Sequence, residues 1–298
     1  MIDSLVELKK HIYEYENVKK DIKIDMFGDL HECESFKDKK LDIIKENIDK
    51  SNPDYIIIAG DLLDSTNFLY KNNEKRTRLI KWLESLAKDY KTFIDLGSHD
   101  YSYFKENHWI KDFNTAFWND IASISNIYVS NSQSYYEDNN IIIFQYDPDF
   151  KYYYNEKKKE DKNTIINDLK KQKDLLTNLK ADKIKVFVSH SPIHMTNREI
   201  LENIKEFDFI TSGHMHNGIL PPIIDKIIPG NRGIIAPNKS LFPDNSRNIK
   251  NIKIGNKEIH LIINGGISKL NENTGILQKF NIFFPMAIDE INIKKLSK

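Results

Sequence analysis

A single cysteine, Cys33, in a chain of 298 residues excludes an internal disulfide and a thiolate metal cluster. Any metal ligands must therefore be histidine and carboxylate. No apolar run approaches the ~20 residues needed to cross a bilayer, and residues 1–20 carry too much charge for a secretory signal. The expectation is a soluble, cytoplasmic chain. Charge imbalance is missing too: 44 Lys+Arg against 44 Asp+Glu leave no overall field to gather nucleic acid or an anionic membrane, so substrate recognition has to be local. No internal repeat is visible. With 40% hydrophobic and 30% charged residues the chain can bury one large core. One domain over 1–298 is expected, with a leading helix at 1–20 and a long loop at 217–245.

The run Tyr55-Ile56-Ile57-Ile58-Ala59, passing straight into Gly60-Asp61-Leu62-Leu63-Asp64, organises the rest. A short β-branched apolar run reads as a strand buried on both faces, with Gly60 as the exit from the sheet. Asp61 then stands at a strand's carboxyl end, where open α/β sheets bind ligands. Alone, Gly-Asp would do no more than turn the chain, but the pattern recurs. Residues 22–27 read as a strand ending in Gly28-Asp29-Leu30-His31, where side-chain alternation would put Asp29 and His31 on one side. Residues 92–96 end in Gly97-Ser98-His99-Asp100, residues 186–189 in His190, and residues 207–211 in Ser212-Gly213-His214-Met215-His216. Of nine histidines, His31, His99, His190, His214 and His216 fall at such strand ends, which core packing does not explain.

Helical spacing predicts helices over 5–20, 36–47, 74–88, 109–121 and 164–179, the fourth carrying Trp109, Phe113, Phe117 and Trp118 into the core. Segments 127–129 and 141–144 read as strands of a second sheet joined by a polar hairpin over 131–140. Residues 147–162 end in the charge run Glu156 to Lys162 and read as an exposed loop, with a lid over the site as the functional alternative.

The ordered set Asp29-x-His31, Gly60-Asp61-x-x-Asp64, Gly97-Ser98-His99-Asp100, His190 and Gly213-His214-x-His216 resembles the calcineurin-like metallophosphoesterase family. The ending, with Gly265-Gly266-Ile267 and Phe280-Asn281-x-x-x-Pro285 before a last strand at 287–293, resembles its YkuE-like bacterial branch. The resemblance implies a four-layer α/β/β/α sandwich of two mixed sheets flanked by helices. It implies two divalent transition-metal ions, Mn, Fe or Zn with Mn foremost, and hydrolysis of a phosphate ester by a metal-bridging hydroxide. By the family's pattern Asp29, His31 and His216 hold one ion, Ser98, His190 and His214 the other, and Asp61 both. His99 then protonates the leaving oxygen, with Asp100 orienting its ring. Mixed imidazole and carboxylate donors suit such borderline ions, whereas an all-oxygen set would suit Mg or Ca.

One position departs from the pattern: the family has Asn where this chain has Ser98, so a carbonyl ligand gives way to a shorter hydroxyl. Two functions follow, a dinuclear phosphatase or phosphodiesterase, or a non-catalytic binding or scaffold protein with a weakened second metal site. After His216, five prolines and three glycines in 217–243 predict a long ordered loop. Its apolar residues are either core filler or an apolar wall beside the site. The second use extends to a peripheral membrane or lipid contact through 217–230, with Arg232 or Arg247 near the phosphate. His11, His108, His194 and His260 receive no role, although His194 lies close to His190 in sequence.

Overall fold

A computed structural model describes residues 6–16, 18–33, 39–71, 73–106, 108–132, 134–154, 162–179, 182–193, 195–219, 231–234, 241, 243–268 and 286–296. The first half runs β1 (Val6–Tyr15), β2 (Ile22–Phe27), α1 (Lys39–Ser51), β3 (Tyr55–Ala59), α2 (Asn67–Lys71), α3 (Asn73–Ala87) and β4 (Lys91–Asp95). A 3-10 turn (Ser98–Tyr101) leads into β5 (Ser102–Lys105), β6 (His108–Lys111), α4 (Thr115–Ala122) and β7 (Ile127–Val129). Then come β8 (Tyr135–Glu137), β9 (Ile141–Gln145), α5 (Phe150–Tyr154), α6 (Lys162–Lys171), α7 (Lys173–Thr177) and β10 (Ile184–Val188). The chain closes with α8 (Arg198–Asn203), β11 (Phe209–Ser212), a second 3-10 turn (His216–Ile219), β12 (Asn248–Ile254), β13 (Lys257–Ile263) and β14 (Met286–Lys295).

Two six-stranded sheets result, ordered β1-β14-β2-β3-β4-β7 and β12-β13-β11-β10-β9-β8, with β5-β6 a separate hairpin. Each is mixed: β2, β3, β4 and β7 are parallel with β14 antiparallel to β2, and β9, β10, β11 and β13 are parallel with antiparallel β12 and β8 at the edges. Three apolar cores separate the layers. Along β3 every residue is buried, and alternation sends Ile56 and Ile58 toward the helices while Tyr55, Ile57 and Ala59 face the other sheet. Helices α1, α3 and α4 cover the first sheet, with Leu41, Ile44 and Ile48 of α1 at helical spacing on the covered face. Helices α6 and α8 cover the second. The four-layer sandwich is thus the architecture expected. No described helix is long and apolar enough to cross a membrane.

Four expectations need correction. Residues 6–15 form a strand, not the leading helix expected at 1–20: β1 pairs with β14 residue by residue from Val6↔Met286 to Tyr15↔Lys295. Leu8 packs on one core while Tyr13 and Tyr15 pack on the other, a period of two that a distant partner enforces over local helical spacing. Strand β7 closes the edge of the first sheet and does not join β9 in the second; the hairpin partner of β9 is β8. Helix α4 starts at Thr115, so Phe117 and Trp118 enter the core but Trp109 lies on β6 outside it. Within 147–162, residues 150–154 form a short helix, and 155–161 lie outside the described residues.

A buried carboxyl pair marks the far end of the first sheet. Asp25 and Glu290 stand opposite one another in the β2–β14 ladder, each 2.8 Å from the Ser51 hydroxyl. One hydroxyl has one proton to give, so one carboxyl must carry its own. Burial pushes Asp25 up to about 7, against the bond from Ser51, and Glu290 reinforces the rise. A group raised in this way adds stability below its unfolded pKa and loses it as pH rises through about 7. In Asp25→Asn, thermal denaturation between about pH 5 and about pH 8 should shift the melting-temperature gap in the variant's favour as pH rises. A gap independent of pH would take the proton away from Asp25.

Candidate metal centre

The carboxyl ends of β2, β3, β4, β10 and β11 meet at one edge, and each expected ligand leaves its strand there. They do not leave in extended form. Asp29 (φ 50°), His31 (φ 49°), Asp61 (φ 50°), His214 (φ 67°) and His216 (φ 43°) all occupy the left-handed region, at a cost of about 1–3 kcal/mol each for a non-glycine residue. Simple alternation therefore fails, although Asp29 and His31 still converge. The strain is held in place by backbone pairing: Asp29 N–H donates to the Gly60 carbonyl at 2.9 Å and His31 N–H to the Asp61 carbonyl at 3.0 Å. Gly60 (φ 80°) is required twice over, since a Cβ there would fall on the His190 ring.

Among the described residues three groups of donor atoms result, each with its members within 4.8 Å of one another: Asp29, His31 and His216; Asp61, His190 and His214; and His31, Asp64 and His99. In the first, Asp29 Oδ1 is 3.8 Å from His31 Nε2 and 3.6 Å from His216 Nε2. In the second, Asp61 Oδ2 is 3.1 Å from His190 Nε2, and His190 Nε2 is 3.0 Å from His214 Nδ1. The same Asp61 Oδ2 lies 3.8 Å from His31 Nε2, so one carboxylate oxygen reaches both groups. His214 and His216 serve different groups, as the family's pattern implies, and both residues turn at positive φ.

Further contacts fix these side chains. His190 donates from Nδ1 to the Ala59 carbonyl at 2.7 Å, which aims Nε2 at Asp61. Its own N–H donates to the buried Asp95 carboxylate at 2.7 Å. His99 donates from Nδ1 to the Asp64 carbonyl at 2.6 Å, and its N–H reaches Asp61 Oδ1 at 2.9 Å. Asp100 does not orient the His99 ring as expected: its carboxylate accepts from the N–H groups of Gly97, Leu63 and Leu62 at 2.8, 3.0 and 3.3 Å and fastens the turn to the β3 loop. Ser98 is buried at the start of that turn, its carbonyl accepting from the Ser102 hydroxyl at 2.8 Å.

Sequence reading passed over four residues here. Asp64 lies inside a motif it quoted, and Asp95 is an acid in an otherwise apolar strand. Tyr153 of α5 rests its ring 5.9 Å from that of His190 and 5.5 Å from that of His214, while Trp109 of the β5–β6 hairpin lies 4.6 Å from the His99 ring. The two aromatics gave no local signal. Of the flanking loop, 220–230 and 235–240 lie outside the described residues, as does His194. Arg232 pairs with Asp244 at 2.8 Å, and Arg247 donates to the Arg232 carbonyl at 2.8 Å.

Electrostatics set the donor states. Burial raises Asp61, but the imidazoles of His190 and His99 outweigh it and hold the carboxyl well below the usual range. Burial lowers His190, yet Asp61 overrides it and lifts the imidazole to about 10. For Asp29 burial wins over His216 and His190, and the carboxyl rises. Burial and the neighbouring imidazoles drive His31 and His214 well below their ordinary range, to the neutral form that ligates metals. Among the described residues the buried Nδ1 atoms of His31 and His216 have no hydrogen-bond partner, while their Nε2 atoms face Asp29. Nitrogen and carboxylate donors in two groups sharing one oxygen fit a pair of borderline divalent ions.

The chain belongs to the calcineurin-like phosphoesterase family, whose model matches residues 22–218, the span that carries every ligand position described above. An uncharacterised metallophosphoesterase of Campylobacter jejuni is 34% identical over 95 residues, which is 32% of this chain and 24% of that relative. Among solved structures, a dimetal phosphatase from Danio rerio aligns over 83% of this chain and 88% of its own at 7% identity and a TM-score of 0.47. A putative 5′-nucleotidase from Staphylococcus aureus aligns over 88% and 58% at 14% identity and a TM-score of 0.40.

Proposed function

We propose that the chain is a dinuclear metal-dependent phosphohydrolase, cleaving a phosphomonoester, phosphodiester or pyrophosphate bond, with two ions drawn from Mn, Fe or Zn, Mn foremost, and His99 as the proton donor. The observation that carries this reading is Asp61 Oδ2, within 3.1 Å of His190 and 3.8 Å of His31 and so common to both donor groups. Asp29, His31 and His216 would hold one ion, and His190 and His214, with Ser98 beside them, the other. Bound there, two ions would neutralise phosphoryl oxygens and make a water nucleophilic near neutral pH.

The chain's own residues do the rest. Asp61 and Asp29 supply the negative charge that keeps cations in place, and the Ala59 carbonyl fixes the His190 tautomer. Because its Nδ1 is engaged by Asp64, His99 has Nε2 to carry a proton and give it to the departing oxygen. The scaffold alternative rests on Ser98 alone and asks a complete set of strained, desolvated ligands to persist without use. A Cβ on Gly266 would press on that of Asp29, and the placing of the chain in the YkuE-like branch as a single domain rests on the resemblance of its ending alone. A lipid contact through 217–230 concerns, apart from 217–219, residues outside those described.

Elemental analysis of protein prepared without chelator, paired with hydrolysis of an aryl phosphodiester, tests the reading. Two transition-metal ions per chain and turnover lost on chelation and restored by Mn are expected. A chain that takes up no metal after Mn addition would overturn it.

A further inference from the structure

The His31 ring has carboxylates at both ends. Its Nε2 lies 3.8 Å from Asp29 Oδ1 and 3.8 Å from Asp61 Oδ2, on the side of the two donor groups that Asp61 links, while its Nδ1 lies 3.8 Å from Asp64 Oδ1 on the other. That Nδ1 is buried and makes no hydrogen bond among the described residues. The His31 side chain is 12% exposed and that of Asp64 32%, so the ring is held and the carboxylate is the partner with room to move. Backbone pairing keeps the two residues in register past the ends of β2 and β3: His31 N–H donates to the Asp61 carbonyl at 3.0 Å, Glu32 N–H to that of Leu62 at 2.9 Å and Asp64 N–H to that of Glu32 at 3.0 Å. The Asp64 carbonyl is already engaged by His99 Nδ1 at 2.6 Å. One residue thus stands between a candidate metal ligand, at its carboxylate, and the candidate proton donor, at its carbonyl.

Tautomer chemistry decides what the carboxylate does. A neutral imidazole has one N–H, so a ring that gives its Nε2 lone pair to a cation must carry its proton on Nδ1. A buried N–H of this kind needs an acceptor, and metal-bound histidines donate it to a carboxylate, a carbonyl or water. His190 meets the need with the Ala59 carbonyl at 2.7 Å; for His31 the group in place is Asp64. Resting on the dinuclear phosphoesterase reading above, we infer that Asp64 is a positioning residue for the ion held by Asp29, His31 and His216: its carboxylate accepts the His31 Nδ1–H once Nε2 is committed to the cation, and its carbonyl serves His99 separately. Replacing the side chain therefore separates metal binding from proton donation, since the carbonyl belongs to the backbone and stays.

Calorimetric titration of Asp64→Ala with Mn tests this. One ion should bind about 10- to 100-fold more weakly and the other within about threefold of wild type, with Asp64→Asn, whose amide oxygen still accepts, in between. In His216→Ala, which already lacks a ligand to the same ion, adding Asp64→Ala should cost the ion that remains nothing. At saturating Mn the dependence of turnover on leaving-group acidity should keep its wild-type slope, because the His99 contact is untouched. Magnetic resonance supplies a sign that a merely structural role would not give: in Zn-loaded protein carrying isotopically labelled histidine, a solvent-protected Nδ1–H of His31 should appear beside that of His190, and Asp64→Ala should remove the first alone. Wild-type affinity for both ions in Asp64→Ala, or equal weakening of both, would overturn the inference. So would a steeper slope with metal binding intact, which would give the side chain to His99. Two ions bound with no ester hydrolysed would sink the phosphoesterase reading and leave the affinities to decide the role of Asp64, whereas turnover with wild-type metal binding in Asp64→Ala would do the reverse. A wild-type chain that binds no metal would sink both.

Discussion

Asp61→Asn is expected to abolish turnover, by on the order of 10³-fold or more, and to strip the chain of both ions together. The carboxylate has one oxygen, Oδ2, within 3.8 Å of His31 and 3.1 Å of His190, and the other, Oδ1, accepting the His99 N–H at 2.9 Å. An amide keeps the shape but removes the negative charge between two cations and offers one acceptor atom in place of two. It also removes what lifts the His190 imidazole, so the change discharges both sides of a buried pair rather than leaving one charge stranded. The variant should therefore fold, which circular dichroism checks. Elemental analysis then decides the point. Retention of two ions with more than about a tenth of wild-type turnover would remove Asp61 from the role of shared ligand.

His99→Ala is expected to keep the metals and lose the chemistry, by about 10²- to 10⁴-fold on esters with poor leaving groups and far less on nitrophenyl esters, whose oxygen departs without a proton. The geometry makes this a sharp test. His99 belongs to neither of the two groups linked by Asp61, yet with His31 and Asp64 it forms a third that could itself hold a cation. Its Nδ1 is already spent on the Asp64 carbonyl, leaving one nitrogen for either use. Turnover measured across a series of leaving groups should steepen in its dependence on leaving-group acidity in the variant, with metal content unchanged. Loss of one ion would instead make His99 a ligand.

Much of the site could be read in the chain because each ligand follows a strand that announces itself. Tyr55–Ala59 is apolar throughout, Gly60 ends it, and Asp61 has nowhere to go but the sheet's edge. What could not be read was the turn: alternation assumes extended backbone, and Asp29, His31, Asp61, His214 and His216 all take positive φ. Asp100 misled for a related reason, because its carboxylate was needed by three backbone N–H groups that only the folded β3 loop presents. Strand β1 and residue Trp109 were misplaced by distance rather than by local chemistry. The first depends on a partner some 280 residues away, and the second on a four-residue strand too short for periodicity to show.

The pairing of β1 and β2 with β14 governs when the protein can work, as well as where its strands lie. Strand β14 separates β1 from β2, so the first sheet stays in two pieces until residues 286–295 are in place. Residues 267 and 268, just beyond β13, hold the turn that carries Asp29: Ile267 N–H donates to the Gly28 carbonyl at 3.0 Å and Ser268 N–H to that of Asp29 at 2.8 Å. Ligands drawn from the first third of the chain thus wait on its last third for their geometry. Contacts of such long sequence separation form slowly, so a chain emerging from the ribosome holds all five site histidines well before it has a place to put a metal.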